Sequence, residues 1–274
     1  MSAFKGFQQT GGFAATVKPA QLFQGFTDTA FGQLGNIGGV PSTNLVGWLN
    51  PSLNITLGTG VSSWVDCIGG NNFTQATGGK QPILNTIQGT YNGRPYLATN
   101  IIAGSCLNAG NVFNIGTNSY LDFIIILSTP NTTNNGIMYV ASDNGTINAR
   151  TQGGYAIRQS NTTWQFQYGD SGSLTTLAQL STVTSNQLTM LWGQIDRVVG
   201  KLYLSQDYNF RQTSANIVAS ITNYTNNNFS VLGNTVNTPQ TFNMLDMFIY
   251  TGSSALSQSD YFMLRGYMGQ LYGF

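Results

Sequence analysis

The stretch LDMFIYTGSSALSQSDYFMLRGYMGQLYGF, residues 245–274, changes period half-way along. With Met244 before it, MLDMFIY (244–250) carries apolar side chains at both odd and even positions. A strand with one wet face would alternate, so this run reads as a strand covered on both sides. Ser257-Gln258-Ser259-Asp260 then resembles a helix-starting capping box, with Asp in place of Glu. Leu264, Met268 and Leu271 follow at three- and four-residue steps, the spacing of one apolar helix stripe. The expectation is a buried strand followed by a single helix. That helix either packs on the strand's sheet or closes one end of it.

Upstream, strand patterns dominate. LDFIIIL (121–127) is a second run with no wet face. Trp164, Phe166 and Tyr168 alternate with Thr163, Gln165 and Gln167, which predicts a strand with one polar face. Leu188, Met190 and Trp192 share a face of the next strand, and Lys201-Leu202-Tyr203-Leu204 resumes after a turn at Val199-Gly200. Turn residues separate these runs at Thr129-Pro130-Asn131, Asp143-Asn144-Gly145 and Asn226-Asn227-Asn228. Asp143-Asn144-Gly145 lacks the further acids of a calcium loop and reads as a hairpin tip. Many strands with one late helix predict an all-β sandwich over residues 41–274.

Composition excludes several kinds of chemistry. The 274 residues include no histidine and no glutamate, and all nine acids are aspartates. Without histidine neither a Ser–His–Asp nor a Cys–His system can form. Histidine-ligated zinc is excluded too, and no metal site or cofactor is expected. A glycosidase would need two aspartates brought together by the fold, since none lie near each other on a common strand face. The four lysines and six arginines are scattered singly, so the phosphate-neutralising footprint of a nucleic-acid binder is missing. The apolar run 123–127 is far too short to span a bilayer. The N-terminus lacks the basic start and apolar run of a secretory signal, so export by that route is not expected. Seven Asn-x-Ser/Thr sequons occur, about as many as this Asn- and Thr-rich composition produces by chance. Cys67 and Cys106 are too few for a disulfide framework and are expected as reduced, partly buried thiols, with one bridge between them the alternative.

Several segments resemble the concanavalin A-like (laminin-G-like) jelly-roll superfamily, in order, over residues 44–274. LVGWLNPS (45–52) resembles its opening strand, with Asn50 where Asp is usual. VSSWVDCIGGNN (61–72) resembles its first loop through Trp64, Asp66, Gly70 and Asn71. QPIL (81–84) and NGRPYL (92–97) resemble two further strands, and residues 245–274 its closing strand and helix, with Asp246 where Glu is usual. The resemblance implies a jelly-roll β-sandwich with a short C-terminal helix. It implies no single function, because the superfamily includes lectins, glycosidases, adhesion modules and domains of phage virion proteins. Its glucanases use glutamates that this chain does not have. Trp48 and Trp64 invite a sugar-stacking platform, but in the motif both tryptophans are structural and the core reading is preferred. Asp66 is expected to cap its own loop through backbone amides, and Arg94 to sit on a surface turn.

Residues 1–40 have no counterpart in the sandwich. Phe4, Phe7, Phe13, Phe23, Phe26 and Phe31 are set among Gly, Gln, Thr and Ala with no regular period. A disordered tail, a strap on the chain's own sandwich and a docking arm are the three readings. Disordered segments are usually poor in aromatics, and burying one phenylalanine is worth about 1.5–3 kcal/mol. The docking arm is therefore favoured, with these six residues as the partner-binding set. The expected function is a non-enzymatic phage virion structural protein, on head or tail. It would be made in the host cytoplasm, anchored to other virion subunits, homo-oligomeric, and able to display a surface for host glycans. The alternative is a stand-alone carbohydrate-binding, lectin-like domain. Neither nucleic acid nor membrane is an expected partner.

Overall fold

The computed structural model describes residues 36–37, 40–41, 44–86, 90–113, 115–130, 140–142, 154–169, 175–180, 183–217, 229–233 and 241–274. The six arm phenylalanines, Asp28, Asp170, the 143–145 tip and the 226–228 turn lie outside them.

The strands in chain order begin with β1 (Asn36–Ile37), β2 (Val40–Pro41), β3 (Leu45–Leu49), β4 (Ile55–Leu57), β5 (Val61–Val65) and β6 (Asn72–Thr74). Next come β7 (Ile83–Asn85), β8 (Tyr96–Ala98), β9 (Leu107–Asn108), β10 (Tyr120–Ser128), β11 (Val140–Ser142), β12 (Gly154–Ser160) and β13 (Thr163–Gly169). The last are β14 (Thr175–Leu180), β15 (Thr189–Asp196), β16 (Lys201–Gln206), β17 (Thr213–Asn216), β18 (Phe229–Val231) and β19 (Asn243–Gly252), followed by helix α1 (Gln258–Tyr272).

Beyond the small β1–β2 ladder, they form two sheets. The front sheet runs β17-β16-β15-β10-β19-β8-β7, with β3 also paired to β19. The back sheet runs β14-β13-β12-β11-β18-β9-β6-β5-β4. The pairings are antiparallel throughout. The described residues thus form an all-β sandwich with one C-terminal helix.

Strand alternation builds two cores. On β10, Leu121, Phe123, Ile125 and Leu127 face the back sheet, where Tyr155, Trp164, Phe166 and Phe229 meet them. The other face of β10 presents Ile124 and Ile126 to a second core, shared with Trp192, Phe248, Tyr261, Leu264 and Met268. So α1 lies on the outer face of the front sheet, which is why 121–127 and 244–250 are apolar on both sides. Gly193 on β15 faces inward, where a Cβ would stand 3.0 Å from the side chains of Ile157 and Phe166.

A bulge breaks the β19 alternation. Register with β10 slips between Ile126, opposite Asp246, and Leu127, opposite Met244. The extra residue puts Leu245 and Asp246 together on the helix side, while Met244 and Met247 stay in the inter-sheet core. The helix start matches its sequence signature: Asp260 N donates to Ser257 Oγ at 3.1 Å, and Ser257 N donates back to Asp260 Oδ2 at 3.3 Å. The polar face of β13 departs from its wet reading. Gln165 and Gln167 are only 7% and 9% exposed. Arg158 Nε donates to Gln165 Oε1 at 2.8 Å, and Gln165 Nε2 to Gln179 Oε1 at 3.3 Å, so these amides satisfy one another across the strands.

Candidate functional site

Two carboxylates are sealed beneath α1. Asp246 receives Trp48 Nε1 at 2.9 Å and Asn50 Nδ2 at 3.0 Å on Oδ1, and the Tyr272 hydroxyl on Oδ2. Burial pushes its carboxyl up to about 6, against the pull of these donors and of Arg94. Asp122 receives Trp192 Nε1 at 2.9 Å and Gln194 Nε2 at 2.6 Å. Burial pushes it up to about 7. The two aspartates occupy neighbouring strands but stand four register positions apart, roughly 13 Å at the rise of a strand. Both are buried, and at that separation under a covering helix they do not flank a site for a glycosidic bond.

Three of the residues that carried the resemblance meet here. Trp48, Asn50 and Asp246 come from the opening and closing strands and form one buried knot. Trp48 also stacks on Phe248, with ring centroids 6.0 Å apart. Trp64 is in the inter-sheet core, and its Nε1 donates to Asn50 O at 3.1 Å. Neither tryptophan can offer a face to a ligand. Asp66 does cap its own loop, accepting from Ile68 N, Gly69 N and Asn71 N at 2.8, 2.6 and 2.7 Å. Cys67 and Cys106 are free thiols, half-buried and buried. Burial raises them to about 12 and about 11, so neither is a thiolate near neutral pH. Arg94 is half-buried rather than fully on the surface, because it follows the 91–93 turn against the sheet.

An open cleft of about 480 Å³ lies at the C-terminal end of α1. One wall is the turn before β8, with Tyr91 and Asn92. Tyr91, Asn92 and Gly93 are all left-handed, at φ 48°, 55° and 74°. A tyrosine in that region is strained and persists only where its surroundings hold it. They do so here. Its ring stands edge-on to Tyr96 at 5.1 Å, its hydroxyl contacts Ser128 Oγ, and Asn243 Nδ2 donates to that hydroxyl at 3.0 Å.

A second wall is Asn186 and Gln187, both exposed, with the buried Leu188 behind them. Asn186 is left-handed at φ 57°, and its N–H donates to Thr129 O at 2.6 Å. The third wall is the helix end itself. Gly273 closes α1 at φ 81°, and a Cβ there would stand 2.9 Å from the Asn92 amide. Tyr272, Phe274 and Arg265 complete the lining. The Arg265 guanidinium sits between the rings of Tyr208 and Phe274, 4.3 and 3.9 Å from their centroids.

This lining offers aromatic surface, primary amides and one cation. None of its side chains is a carboxylate or a thiol. Burial first, and then Asp246, raise the Tyr272 hydroxyl far above its ordinary range, so it stays protonated. The cleft can hold a ligand by stacking and hydrogen bonds but has no proton-transfer pair. Of these walls, the sequence shows NGRPYL, the strand face beginning at Leu188 and the closing stretch 245–274 as separate elements. Nothing there showed that residues 91–92, 186–187 and 265–274 converge.

No protein-family model matches the chain, and no curated protein matches it in sequence. Solved structures do match in fold. The binding domain of botulinum neurotoxin serotype G superposes with a TM-score of 0.58 at 13% identity, over 81% of this chain and 51% of that one. The receptor binding domain of botulinum neurotoxin D gives 0.57 at 16% identity, over 83% and 53%. A Trypanosoma rangeli sialidase gives 0.55 at 14% identity, over 85% and 34%. The chain spans about half the length of the toxin binding domains it matches, and at these identities the likeness is one of fold.

Proposed function

We propose that this chain is a non-catalytic carbohydrate-binding module that takes a sugar in the cleft at the end of α1. The observation that carries this reading is the cleft lining, where the Tyr91 and Phe274 rings stand beside the amides of Asn92, Asn186 and Gln187. Aromatic faces suit the apolar faces of sugars, and amides pair with vicinal hydroxyls as both donor and acceptor. The lack of a side-chain carboxylate pair in the lining favours binding over hydrolysis. The shared fold with a toxin receptor binding domain supports the reading, and fold alone does not carry it. A glycan array with the full chain tests it. Specific binding that is lost in the Asn186→Gly/Gln187→Ala double variant, in which glycine accepts the left-handed backbone, at a melting temperature close to the parent's, is the expected result. A blank array with folded protein overturns it.

A second reading rests on the arm. Six phenylalanines within the first 31 residues, in a chain with 7% charged residues, favour a virion structural role in which residues 1–40 dock on other subunits. On this reading the protein is made in the host cytoplasm, carried in the particle, and displays the sandwich outward. Light scattering of the full chain beside one beginning at Pro41 tests the arm. Assembly of the full chain alone supports docking, whereas two folded monomers of equal stability refute self-assembly through it. Absence of the protein from purified particles would remove the virion reading itself.

A further inference from the structure

The aromatic surface of the cleft continues past its wall, an observation that bears on ligand length and rests on the glycan-binding reading above. Arg265 lines the cleft but offers it no charge. It is 4% exposed, its Nε faces Asp207 Oδ1 at 3.7 Å, and its Nη1 donates to Phe274 O at 3.2 Å. What the guanidinium does is hold two rings, as its flat, delocalised faces allow. It lies 3.9 Å from the centroid of Phe274, which lines the cleft, and 4.3 Å from that of Tyr208, which does not. With the guanidinium between them, the two rings stand about 8 Å apart.

Tyr208 is the one aromatic among the large exposed apolar side chains of the described residues, at 63%. A tyrosine on a loose turn would mean little, but this turn is pinned. Asp207 is left-handed at φ 52°, its N–H donates to Met190 O at 2.9 Å, and its Oδ1 accepts Met190 N at 3.0 Å. Asn209 N closes the turn onto Gln206 O at 3.1 Å. Met190 lies two residues beyond Leu188 of the cleft wall, so the turn is fastened beside that wall. Arg265 fixes the ring and the backbone bonds fix its base, while most of its surface stays open to solvent. A large aromatic held this way has little conformational freedom left to lose on binding, which is the condition for a stacking platform.

We infer that the site takes a linear oligosaccharide rather than a single sugar, with one unit against Phe274 in the cleft and a later unit of the same chain on Tyr208. Rings so spaced are too far apart for one sugar to cover and suit units joined in a chain. The test presents mono- to hexasaccharides of glucose, galactose, mannose and N-acetylglucosamine to the full chain on an array. Linear oligosaccharides should be retained over their own monosaccharides. The best of them is then titrated in solution beside the shortest member of its series that still binds. Tyr208→Ala should weaken the longer ligand about two- to tenfold, the scale of one aromatic contact, and leave the shorter one unchanged. Tyr208→Phe keeps the ring and should bind as the parent does. Melting temperatures are measured alongside, and the length comparison on the parent chain stands if a variant fails to fold. Monosaccharides bound as tightly as their oligomers, or a Tyr208→Ala loss that is absent or equal for both lengths, overturns the second platform and leaves the glycan-binding reading intact. Binding to no glycan by folded protein overturns both.

Discussion

Acidification should stabilise this protein across the range in which most proteins are indifferent to it. Asp122 and Asp246 titrate in the fold at about 7 and about 6, against an ordinary value of 3.8. Raised carboxyl values mean that the native state holds its protons longer than the unfolded chain does. Stability from these groups is therefore fully present below pH 3.8 and is lost as pH rises through 6 and 7. Between pH 5 and pH 8 the unfolded chain has already released both protons, while the native chain must ionise two groups buried under α1. At about 1.4 kcal/mol per unit, the loss is on the order of 4 kcal/mol, roughly two-thirds of it from Asp122. That is a large part of the 5–15 kcal/mol typical of a whole domain. Urea unfolding at constant ionic strength, at pH 5, 6, 7 and 8, measures it. The structure also supplies residue-level reporters, because Trp192 Nε1 donates to Asp122 and Trp48 Nε1 to Asp246. Their indole N–H resonances should move with midpoints near 7 and near 6. A stability that is flat or rising from pH 5 to pH 8, with both indole signals unmoved, would refute the burial argument.

Three further outcomes are expected. Tyr272→Phe removes one donor from the buried Asp246 carboxylate. It should cost about 1–3 kcal/mol in urea unfolding, more at pH 8 than at pH 5, because only the ionised acid misses the donor. Gly47→Ala places a Cβ 2.6 Å from the Phe113 ring, inside the inter-sheet core. Overpacking there should cost about 1–3 kcal/mol, and a melting temperature equal to that of the parent chain would show that the core yields freely. Ser257→Ala deletes the hydroxyl that caps the Asp260 N–H at the start of α1. A loss of about 1 kcal/mol is expected, and a neutral result would mean that sheet packing alone holds the helix.

The local periods in the sequence determined much of this protein. Alternation at 163–168, two-sided apolar runs at 121–127 and 244–250, and the cap at Ser257 each depend on near neighbours, so each was legible. So was the chemistry excluded by the absence of histidine and glutamate. Period does not say which face a helix will cover, and only the tertiary structure placed α1 over the front sheet. That placement turned Asp122 and Asp246 into buried, proton-holding groups. It also explains Trp48, whose ring edge bonds to Asp246 beneath the helix, whereas Trp64 is held by the packing of the two sheets and bonds to the Asn50 carbonyl. The cleft was the least legible feature. Its walls come from residues 91–92, 186–187 and 265–274, and their meeting depends on the order in which β8, β10, β15 and β19 pair, a long-range choice that no local pattern encodes.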